Sequence, residues 1–591
     1  MKAFWDDLFA GLSAWRSTPL LALVATATLA LGIAVTTVVY SVAKTVLLRP
    51  LPFAEPAGLV IATSTQGSDE AEWPLSHPDY LDWRQRSRSF TGLTAVGGGR
   101  LVKLRTADEP VLLSAELVSA RYFEVLGILP LRGRVFLPGE DQMPGEGRVA
   151  VVSHRAWRDR WGGNPALVGK QIELDEISYQ VVGILPPRAN GLSGQADVWL
   201  PISMATTLGG GYLDSRKFRW LSAVGRLRPG LDVEAARRDL AGVARQLAGE
   251  YPETNLDIGS HVLPLEEALR GRLRAPLLAL SAASLCVLLI ACANVTNLLF
   301  ARGVKRRREV AIRAALGASP GRLRRELLAE SWWIALLSWM VGLGVAWQVA
   351  PRLFEASGFE RSSLVGVELD PTVVAVALAL SLLCSLIAAI PPLRLLQKSD
   401  LHPLLHEGGS GMTLGRSFLR LQSVLIPVEI ASAAVLLVGG SLMTQGFMGL
   451  VGRDLGFDPD KVLVVEASTQ GKAYADDARY RALVRETVQR IDALPEVEAA
   501  ALEGPGVPAA DWHGMSVTLE ERRPVPTDEV FLAVRHHVTP GYFKALGVPV
   551  LQGRGITAAD HERATPVVVI SQRMAKTLWP EAATALGKRF K

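Results

Sequence analysis

The sequence predicts a membrane protein with five α-helical transmembrane segments and two inserted α+β extracytoplasmic domains that arose by tandem duplication. Three observations predict this fold class: five long apolar runs, a strongly basic loop between two of them, and an internal repeat. The 591 residues are 49% apolar and 20% charged, with a net charge of +5. This composition fits a mixture of membrane helices and soluble domains better than either one alone.

Each apolar run meets the bilayer criterion of about 20 residues without a charged side chain. One such run is compatible with a buried core helix of a soluble protein, but five runs of this length favour membrane helices. The first run is too long for a typical signal-peptide core and lacks a clear cleavage site, so we interpret it as an uncleaved helix. The predicted transmembrane segments are residues 19–44, 275–301, 330–351, 372–394 and 422–452.

Residues 1–18 are predicted to form a helix that lies in the membrane interface. Phe4, Leu8, Leu12 and Trp15 fall on one face at helical spacing, and such a face binds at the boundary between lipid headgroups and acyl chains. An ordinary amphipathic packing helix is the alternative.

The loop at residues 302–329, here called the basic loop, sets the predicted orientation. It carries nine Lys or Arg residues between positions 302 and 326, and the positive-inside rule places so basic a loop in the cytoplasm. The acidic loop at residues 352–371 belongs outside. Alternation then predicts a cytoplasmic N-terminus in the inner (plasma) membrane. It places the outer domains at residues 45–274 and 453–591 and a cytoplasmic linker at residues 395–421.

The basic loop also has local structure of its own. Residues 309–316 form a good helix sequence that ends at Gly317, and Ser319 is placed to cap a second helix with Pro320 at its first position. Two short helices around a glycine turn would present a rigid knob to a cytoplasmic partner. A topology signal without further function is the alternative.

An internal repeat links the two polar regions. Residues 118–134 align without gaps to residues 538–554, with eight of 17 positions identical, and the register resumes from Ser153/Ser571 to Lys170/Lys588. We predict a duplicated unit of one helix, one outer domain and three more helices. Counterparts of residues 174–398 are missing from the second copy. We therefore expect a fragment or an interrupted gene, with a complete chain about 225 residues longer.

The outer domain is predicted to be α+β. Residues 149–153, 179–185 and 220–227 have strand patterns, and residues 258–265 form a further strand. Asp232 is placed to cap the amphipathic helix that follows it, and residues 476–495 form the matching helix of the second copy.

Small and polar side chains mark predicted helix contacts within the membrane. Thr28, Gly32 and Thr36 form a strip at four-residue spacing on the first helix, and Asn294 and Asn297 are placed to hydrogen-bond from the second. Ordinary packing, rather than a moving seam, is the alternative. Glu429 begins the fifth helix, where it is a functional candidate or simply solvated or paired near the interface.

Several kinds of site are not predicted. The sequence contains no GxxxxGK[ST] phosphate loop, so this chain is expected to bind no cofactor, and ATP-Mg is assigned to a partner chain. Ser76, His77 and Asp79 are interpreted as structural, because near neighbours in sequence rarely form a catalytic triad. His402 and His406 flank Pro403 without a nearby cysteine, so no metal site is predicted. No nucleic-acid partner is expected.

These features together resemble the MacB/FtsX-like ABC transporter permeases, and more narrowly their duplicated ADOP-type form. The resemblance covers nearly the whole chain. It is carried by VLLRPLPF (46–53), SHPDYLDWR (76–84), YFEVLGILPLRGRVF (122–136) and, most specifically, residues 288–331.

The resemblance implies MacB-like periplasmic core domains with ferredoxin-like parts and a coupling helix that docks on a separate cytoplasmic ABC ATPase subunit. The matching positions, expected to couple to that ATPase, are Glu309, Ala311, Arg313, Ala315, Leu316, Gly317 and Ala318.

The expected function is mechanotransmission: ATP hydrolysis by the partner reshapes the outer domains. The purpose would be efflux or extraction of a hydrophobic compound, peptide or lipoprotein. Membrane lipid and a periplasmic adaptor or substrate protein are the other expected partners. The alternative is a non-transporting, FtsX-like signalling scaffold that activates an extracytoplasmic cell-wall hydrolase.

Overall fold

The structure, a computed structural model, falls into two units that are described separately. One contains Met1–Pro56, Asn190–Gln195 and Leu265–Leu450; the other contains Ala57–Ala189, Ala196–Pro264 and Val451–Lys591. The structure describes residues 19–67, 69–106, 109–187, 189, 191–208, 212–306, 312, 320–356, 370–397, 416–453, 455–465, 477–504, 514–517, 531–561, 563–580 and 585–590.

The elements are numbered in chain order. The helices are α1 (Pro19–Ala43), α2 (His77–Arg86), α3 (Tyr122–Leu126), α4 (His154–Trp161), α5 (Val233–Glu250), α6 (Pro252–Asn255), α7 (Leu265–Lys305), α8 (Pro320–Ala356), α9 (Pro371–Gln397), α10 (Arg416–Val451), α11 (Asp477–Asp492), α12 (Tyr542–Ala545) and α13 (Gln572–Leu578). The strands are β1 (Leu59–Gln66), β2 (Asp69–Trp73), β3 (Leu75–Ser76), β4 (Phe90–Gly97), β5 (Arg100–Leu104), β6 (Val111–Val118), β7 (Arg132–Gly133), β8 (Val149–Val152), β9 (Gln171–Leu174), β10 (Ile177–Ile184), β11 (Val198–Pro201), β12 (Arg219–Leu227), β13 (Ile258–Pro264), β14 (Glu503–Gly504), β15 (Gly514–Val517), β16 (Phe531–Val534) and β17 (His537–Val538).

Five helices in the described part of the chain are long and apolar enough to cross a membrane: α1, α7, α8, α9 and α10. They coincide with the five predicted segments. Helix α7 begins at Leu265, ten residues before the predicted boundary, because the charge-free criterion marks only the apolar part of a helix. Its 41 residues span roughly 60 Å at 1.5 Å per residue, about twice a bilayer core.

Helices α1, α7, α8 and α9 pack around a shared apolar core. Leu29 and Ile33 of α1 are fully buried there, together with Val295 of α7 and Ala388 of α9. Helix α10 is different, because only 6% of the residues in its most apolar stretch are buried. The first four helices therefore form the packed bundle.

Domain 1 (residues 57–189 and 196–264) is built on a 13-stranded sheet. Strands β11, β8, β10, β9, β5 and β6 form a closed ring, because β11 pairs with β6 as well as with β8. From β6 the sheet continues through β4, β12 and β1 to β13, with antiparallel pairing throughout. Helix α5 packs on β13. This mixture of helices and mostly antiparallel strands is the α+β arrangement that the sequence predicts.

Three helices of domain 1 begin at side-chain caps, one of which, Asp232, is predicted from the sequence. Ser76, Ser153 and Asp232 each accept a hydrogen bond from the backbone N–H three residues later, at the starts of α2, α4 and α5. Such caps contribute about 1 kcal/mol each. Fully buried aromatic side chains, including Trp83 and Trp199, fill the core. A side chain of this size contributes about 1.5–3 kcal/mol or more on burial.

Domain 2 (residues 451–590) has local geometry that matches domain 1. The helices α3 and α12 both open with a tyrosine and a phenylalanine whose rings stand edge to face, with centroids 5.3 Å and 5.5 Å apart. Both helices are followed by a glycine with φ of 69° (Gly127 and Gly547). The left-handed region favours glycine, which explains its presence at this point in both domains.

An arginine after each of these turns makes the same contacts. Arg134 binds the two carboxylate oxygens of Glu140 at 2.9 and 2.7 Å, and Arg554 binds those of Asp560 at 2.6 Å each. Both acids also accept the backbone N–H three residues before them, at 2.8 Å. The ion pair therefore closes the same loop in both domains.

The segment that corresponds to β1 differs between the domains. Residues 53–64 and 457–468 match in sequence from their first phenylalanine to their last serine. In domain 1 this segment contains most of β1, which pairs with β12 and β13. Residues 462–465 of domain 2 form no strand, and Leu463 is 88% exposed.

Candidate functional site

The predicted strip on α1 lies partly against α7. A Cβ added to Gly32 would meet Ala291 Cβ at 3.1 Å, so the two backbones approach closely there. The Thr36 hydroxyl donates to the carbonyl of Gly32 at 2.8 Å and lies 3.4 Å from that of Ser284 in α7. The Thr28 hydroxyl donates within its own helix, to the carbonyl of Val24 at 2.8 Å.

The two asparagines of α7 have different surroundings. Asn294 is exposed on the surface of the bundle. The amide of Asn297 donates to the Glu429 carboxylate of α10 at 3.3 Å. Glu429 therefore has a polar partner on α7, and both alternatives for its role remain predictions.

One end of the bundle, where α1 ends and α7 begins, is joined by polar contacts. The Lys44 ammonium lies 2.5 Å from the carboxylate of Asp370, which also caps α9 by accepting the N–H of Val373 at 3.0 Å. The lysine lowers the pKa of the Asp370 carboxyl, and the backbone N–H adds to this effect. Arg270 of α7 donates to the carbonyl of Arg49 at 2.6 Å. The end of α1 is thus tied to both α7 and α9.

The basic loop leaves α7 and enters α8 at the opposite end of the bundle. Glu330 of α8 has a buried carboxylate that contacts Arg302 at 3.2 Å and Arg306 at 2.7 Å. Arg302 lies in the last turn of α7, and Arg306 directly follows that helix. Sequence reasoning used Glu330 only as a charged boundary of the third apolar run. Its position at the end of that run was the one available signal.

The predicted coupling residues lie outside the described residues. Glu309 and Ala311 fall in residues 307–311, and Arg313, Ala315, Leu316, Gly317 and Ala318 fall in residues 313–319. The same is true of His402 and His406, and of the interface helix at residues 1–18. Their roles remain predictions.

Ser76, His77 and Asp79 each have separate contacts. The Ser76 hydroxyl accepts the N–H of Asp79, and the Asp79 carboxylate binds arginines of domain 1. The His77 Nδ1 lies 3.0 Å from the carbonyl of Leu213, and burial lowers the pKa of the imidazole. No proton relay joins these three side chains. In the described segments of the chain, no group of three or more His, Cys, Asp or Glu residues is arranged to hold a metal ion.

The helices and domain 1 together define a class: a multi-pass membrane protein that carries an α+β domain between its first two membrane helices. The model of the MacB-like periplasmic core domain matches residues 22–243 and 430–591, more than half of the chain. That of the FtsX-like permease C-terminal region matches residues 281–401. The chain belongs to the MacB/FtsX-like ABC transporter permeases. This family implies an ATPase partner and fits a multi-pass inner membrane protein.

Curated relatives support the same family. The macrolide export ATP-binding/permease protein MacB of Burkholderia pseudomallei (strain 1710b) is 28% identical over 247 residues, which are 41% of this chain and 36% of the relative. The probable syringafactin export ATP-binding/permease protein SyfD of Pseudomonas syringae pv. tomato is 24% identical over 260 residues, 43% of this chain and 36% of the relative. The chain thus spans about a third of the length of these relatives.

One solved structure is also similar. The periplasmic region of MacB from Actinobacillus actinomycetemcomitans shares 13% identity, covers 37% of this chain and 94% of its own, and has a TM-score of 0.28.

Proposed function

We propose that this chain is a permease subunit that couples ATP hydrolysis by a separate ATPase to conformational change of its extracytoplasmic domains. The purpose would be efflux or extraction of a hydrophobic compound, peptide or lipoprotein. The chain is not itself proposed to be an enzyme: ATP-Mg would bind on the partner. A periplasmic adaptor or substrate protein and membrane lipid are the other proposed partners.

The observation that carries the proposal is the continuity of α7. This helix follows β13 of domain 1 after a single peptide bond, and it ends at Lys305, inside the basic loop. Pro276 removes one backbone hydrogen bond near the domain 1 end of α7, but the helix continues through it to Lys305. A continuous helix is stiff along its axis, so a displacement at one end would be transmitted to the other. The family implies an ATPase partner, and this partner would exert the force at the basic-loop end of α7.

We place the N-terminus and the basic loop in the cytoplasm, with domains 1 and 2 outside. The nine basic residues between positions 302 and 326 support this orientation. In this arrangement Glu309, Ala311, Arg313, Ala315, Leu316, Gly317 and Ala318 would contact the ATPase.

We also infer a tandem duplication of the helix-plus-domain unit. It is supported by the periplasmic-core match in two separate ranges and by the eight identities in 17 aligned residues. The same glycine conformation and the same arginine ion pair in the two domains add to this support. Unrelated segments have no reason to share all of these details.

Replacing Arg313 by glutamate together with Gly317 by proline should uncouple a partner ATPase. The reversed charge and the rigid ring would alter the helix–turn–helix that is predicted to dock on it. The measurement is ATPase stimulation by the full chain in lipid nanodiscs, with an ABC ATPase that co-purifies with it. We expect roughly a fivefold or greater loss of stimulation, which is the low end of couplings between distant sites.

Arg352→Glu is the control for the charge reversal, because Arg352 is exposed near the other end of α8, away from the basic loop. Stimulation that is equal in the double variant and the control would refute the assignment of the coupling residues. ATPase stimulation without any export, together with co-purification of a cell-wall hydrolase, would favour a signalling scaffold over efflux.

A further inference from the structure

The basic loop is bordered by two helices that meet at one buried carboxylate. Glu330 lies in the third turn of α8, and its side chain is 10% exposed. One of its oxygens contacts Arg302, whose side chain is 5% exposed, and the other contacts Arg306, which is 29% exposed. Arg302 lies in the last turn of α7 and Arg306 directly follows that helix. Glu330 therefore joins the end of α7 to α8, and these two helix ends are here called the stems of the basic loop.

Joining two helices through buried ion pairs costs desolvation free energy. Charges near the apolar part of a membrane helix lose hydration, and removing one member of a buried pair leaves the others uncompensated. An apolar contact between the two helices would cost less desolvation free energy. Two ion pairs from one carboxylate, in contrast, define both the distance and the relative orientation of the helix ends. The chemistry therefore favours a role in geometry over a role in overall stability.

The end of α7 is also held by close packing against α9. A Cβ added to Gly303 would meet Pro392 Cβ of α9 at 3.3 Å, so the end of α7 also lies close against α9. The neighbour of Arg302 in the chain thus has little room to shift. The end of α7 is held by α9 on one side and by Glu330 of α8 on another.

We propose that Glu330 is a positioning residue that holds the ends of α7 and α8 at a fixed spacing, so that a displacement of the basic loop moves both helices together. The proposal rests on the proposed function, because the force on the loop comes from the partner ATPase. Without the carboxylate, the loop would still bind the ATPase but would move its two stems independently.

The spacing is measured by electron paramagnetic resonance on the full chain in nanodiscs. Spin labels at Lys305→Cys and Gly321→Cys, both exposed positions, report the distance between the stems after Cys286, Cys292 and Cys384 are replaced by serine. We expect a narrow distance distribution with Glu330 present and a broader or shifted one in Glu330→Gln.

Glu267→Gln is the control. Glu267 is exposed in the first turn of α7, at the opposite end of that helix from Arg302, so its loss should leave the spacing unchanged. If Glu330→Gln does not accumulate, Glu330→Asp keeps the charge on a shorter side chain and should shift the mean distance. A distribution in Glu330→Gln or Glu330→Asp that equals the Glu267→Gln distribution overturns the proposal.

ATPase stimulation in the same samples separates this proposal from the proposed function. We expect Glu330→Gln to retain ATPase binding while stimulation falls roughly fivefold or more. Altered spacing with full stimulation would overturn the role of Glu330 in force transfer. If the Arg313→Glu, Gly317→Pro protein also stimulates fully, the proposed coupling fails instead.

Discussion

Replacement of Asp79 by alanine should destabilise domain 1 by about 3–5 kcal/mol, because it removes the buried acid that two partly buried arginines share. The Asp79 side chain is 1% exposed and contacts Arg216 at 2.5 Å and Arg219 at 3.0 Å. The amide of Asn255 donates to the same carboxylate at 2.9 Å. The group therefore ties α2 to β12, to the loop before it and to α6.

A second contact makes the geometry of this group specific. The Arg216 guanidinium also lies over the Tyr251 ring, 3.7 Å from its centroid, and contacts Asp82 at 2.6 Å. Cation–π contacts of this kind contribute about 0.5–2 kcal/mol. Asp79→Asn should therefore be intermediate: the amide fills the same volume and keeps a hydrogen-bond acceptor, but it removes the charge.

Hydrogen–deuterium exchange of the full chain in nanodiscs measures this effect, in peptides that cover α2 and β12. A loss of 3–5 kcal/mol corresponds to exchange that is faster by roughly 160- to 5,000-fold, where the opening equilibrium governs exchange. Asp159→Ala is the control, because Asp159 is exposed on α4 and surface substitutions usually stay within about 0.5 kcal/mol. Equal exchange in the Asp79 and Asp159 variants would mean that the buried group contributes little.

The same carboxylate illustrates what the sequence could and could not predict. The motif SHPDYLDWR, which contains Asp79, was interpreted only as structural, whereas the cap predicted at Asp232 is confirmed at the start of α5. The partners of Asp79 lie 137 and 140 residues further along the chain, and nothing local specifies them. Caps are local, so a pattern of a few residues predicts them; ion pairs between distant segments depend on the tertiary fold.

The strands show the same division. Strands were predicted at residues 149–153 and 179–185 from valine-rich sequence and at residues 220–227 from a strand-like pattern, and all three are present. The closed ring was not predicted, because it depends on the parallel pairing of β6 with β11, 83 residues apart in register. Pairing partners over such distances leave no periodic signal in either strand.

The membrane helices were predicted from the length of their charge-free runs, and the structure has a helix at each of the five predicted segments. Their ends did not, because α7 and α8 continue through charged residues beyond the apolar part. The ion cluster at Glu330 lies in one of these extensions. The contacts that we expect to matter most for coupling therefore fall where a hydropathy pattern carries the least information.

Replacement of Gly342 by leucine should disrupt the packing of α8 on α1. A Cβ at this position would meet the carbonyl oxygen of Ala30 at 2.8 Å and Ile33 at 3.1 and 3.2 Å, so even one added carbon forces the helices apart. One turn earlier, the Ser338 hydroxyl donates to the carbonyl of Thr26 at 3.1 Å, and this bond depends on the same close approach. Overpacking of this kind costs about 1–3 kcal/mol. Gly342→Ala should have a smaller effect in the same direction.

Gly344 provides the matched control two residues away, because no atom lies within 4 Å of a Cβ added there. Cys292 and Cys384, at 8% and 7% exposure in the bundle core, serve as reporters that a fluorogenic maleimide labels only when the helices separate. With Cys286 replaced by serine, labelling during a temperature ramp gives the apparent Tm of the bundle. We expect Gly342→Leu to lower this Tm by several degrees while Gly344→Leu leaves it unchanged. Equal Tm values for the two leucine variants would show that α1 and α8 do not pack at Gly342 in the membrane.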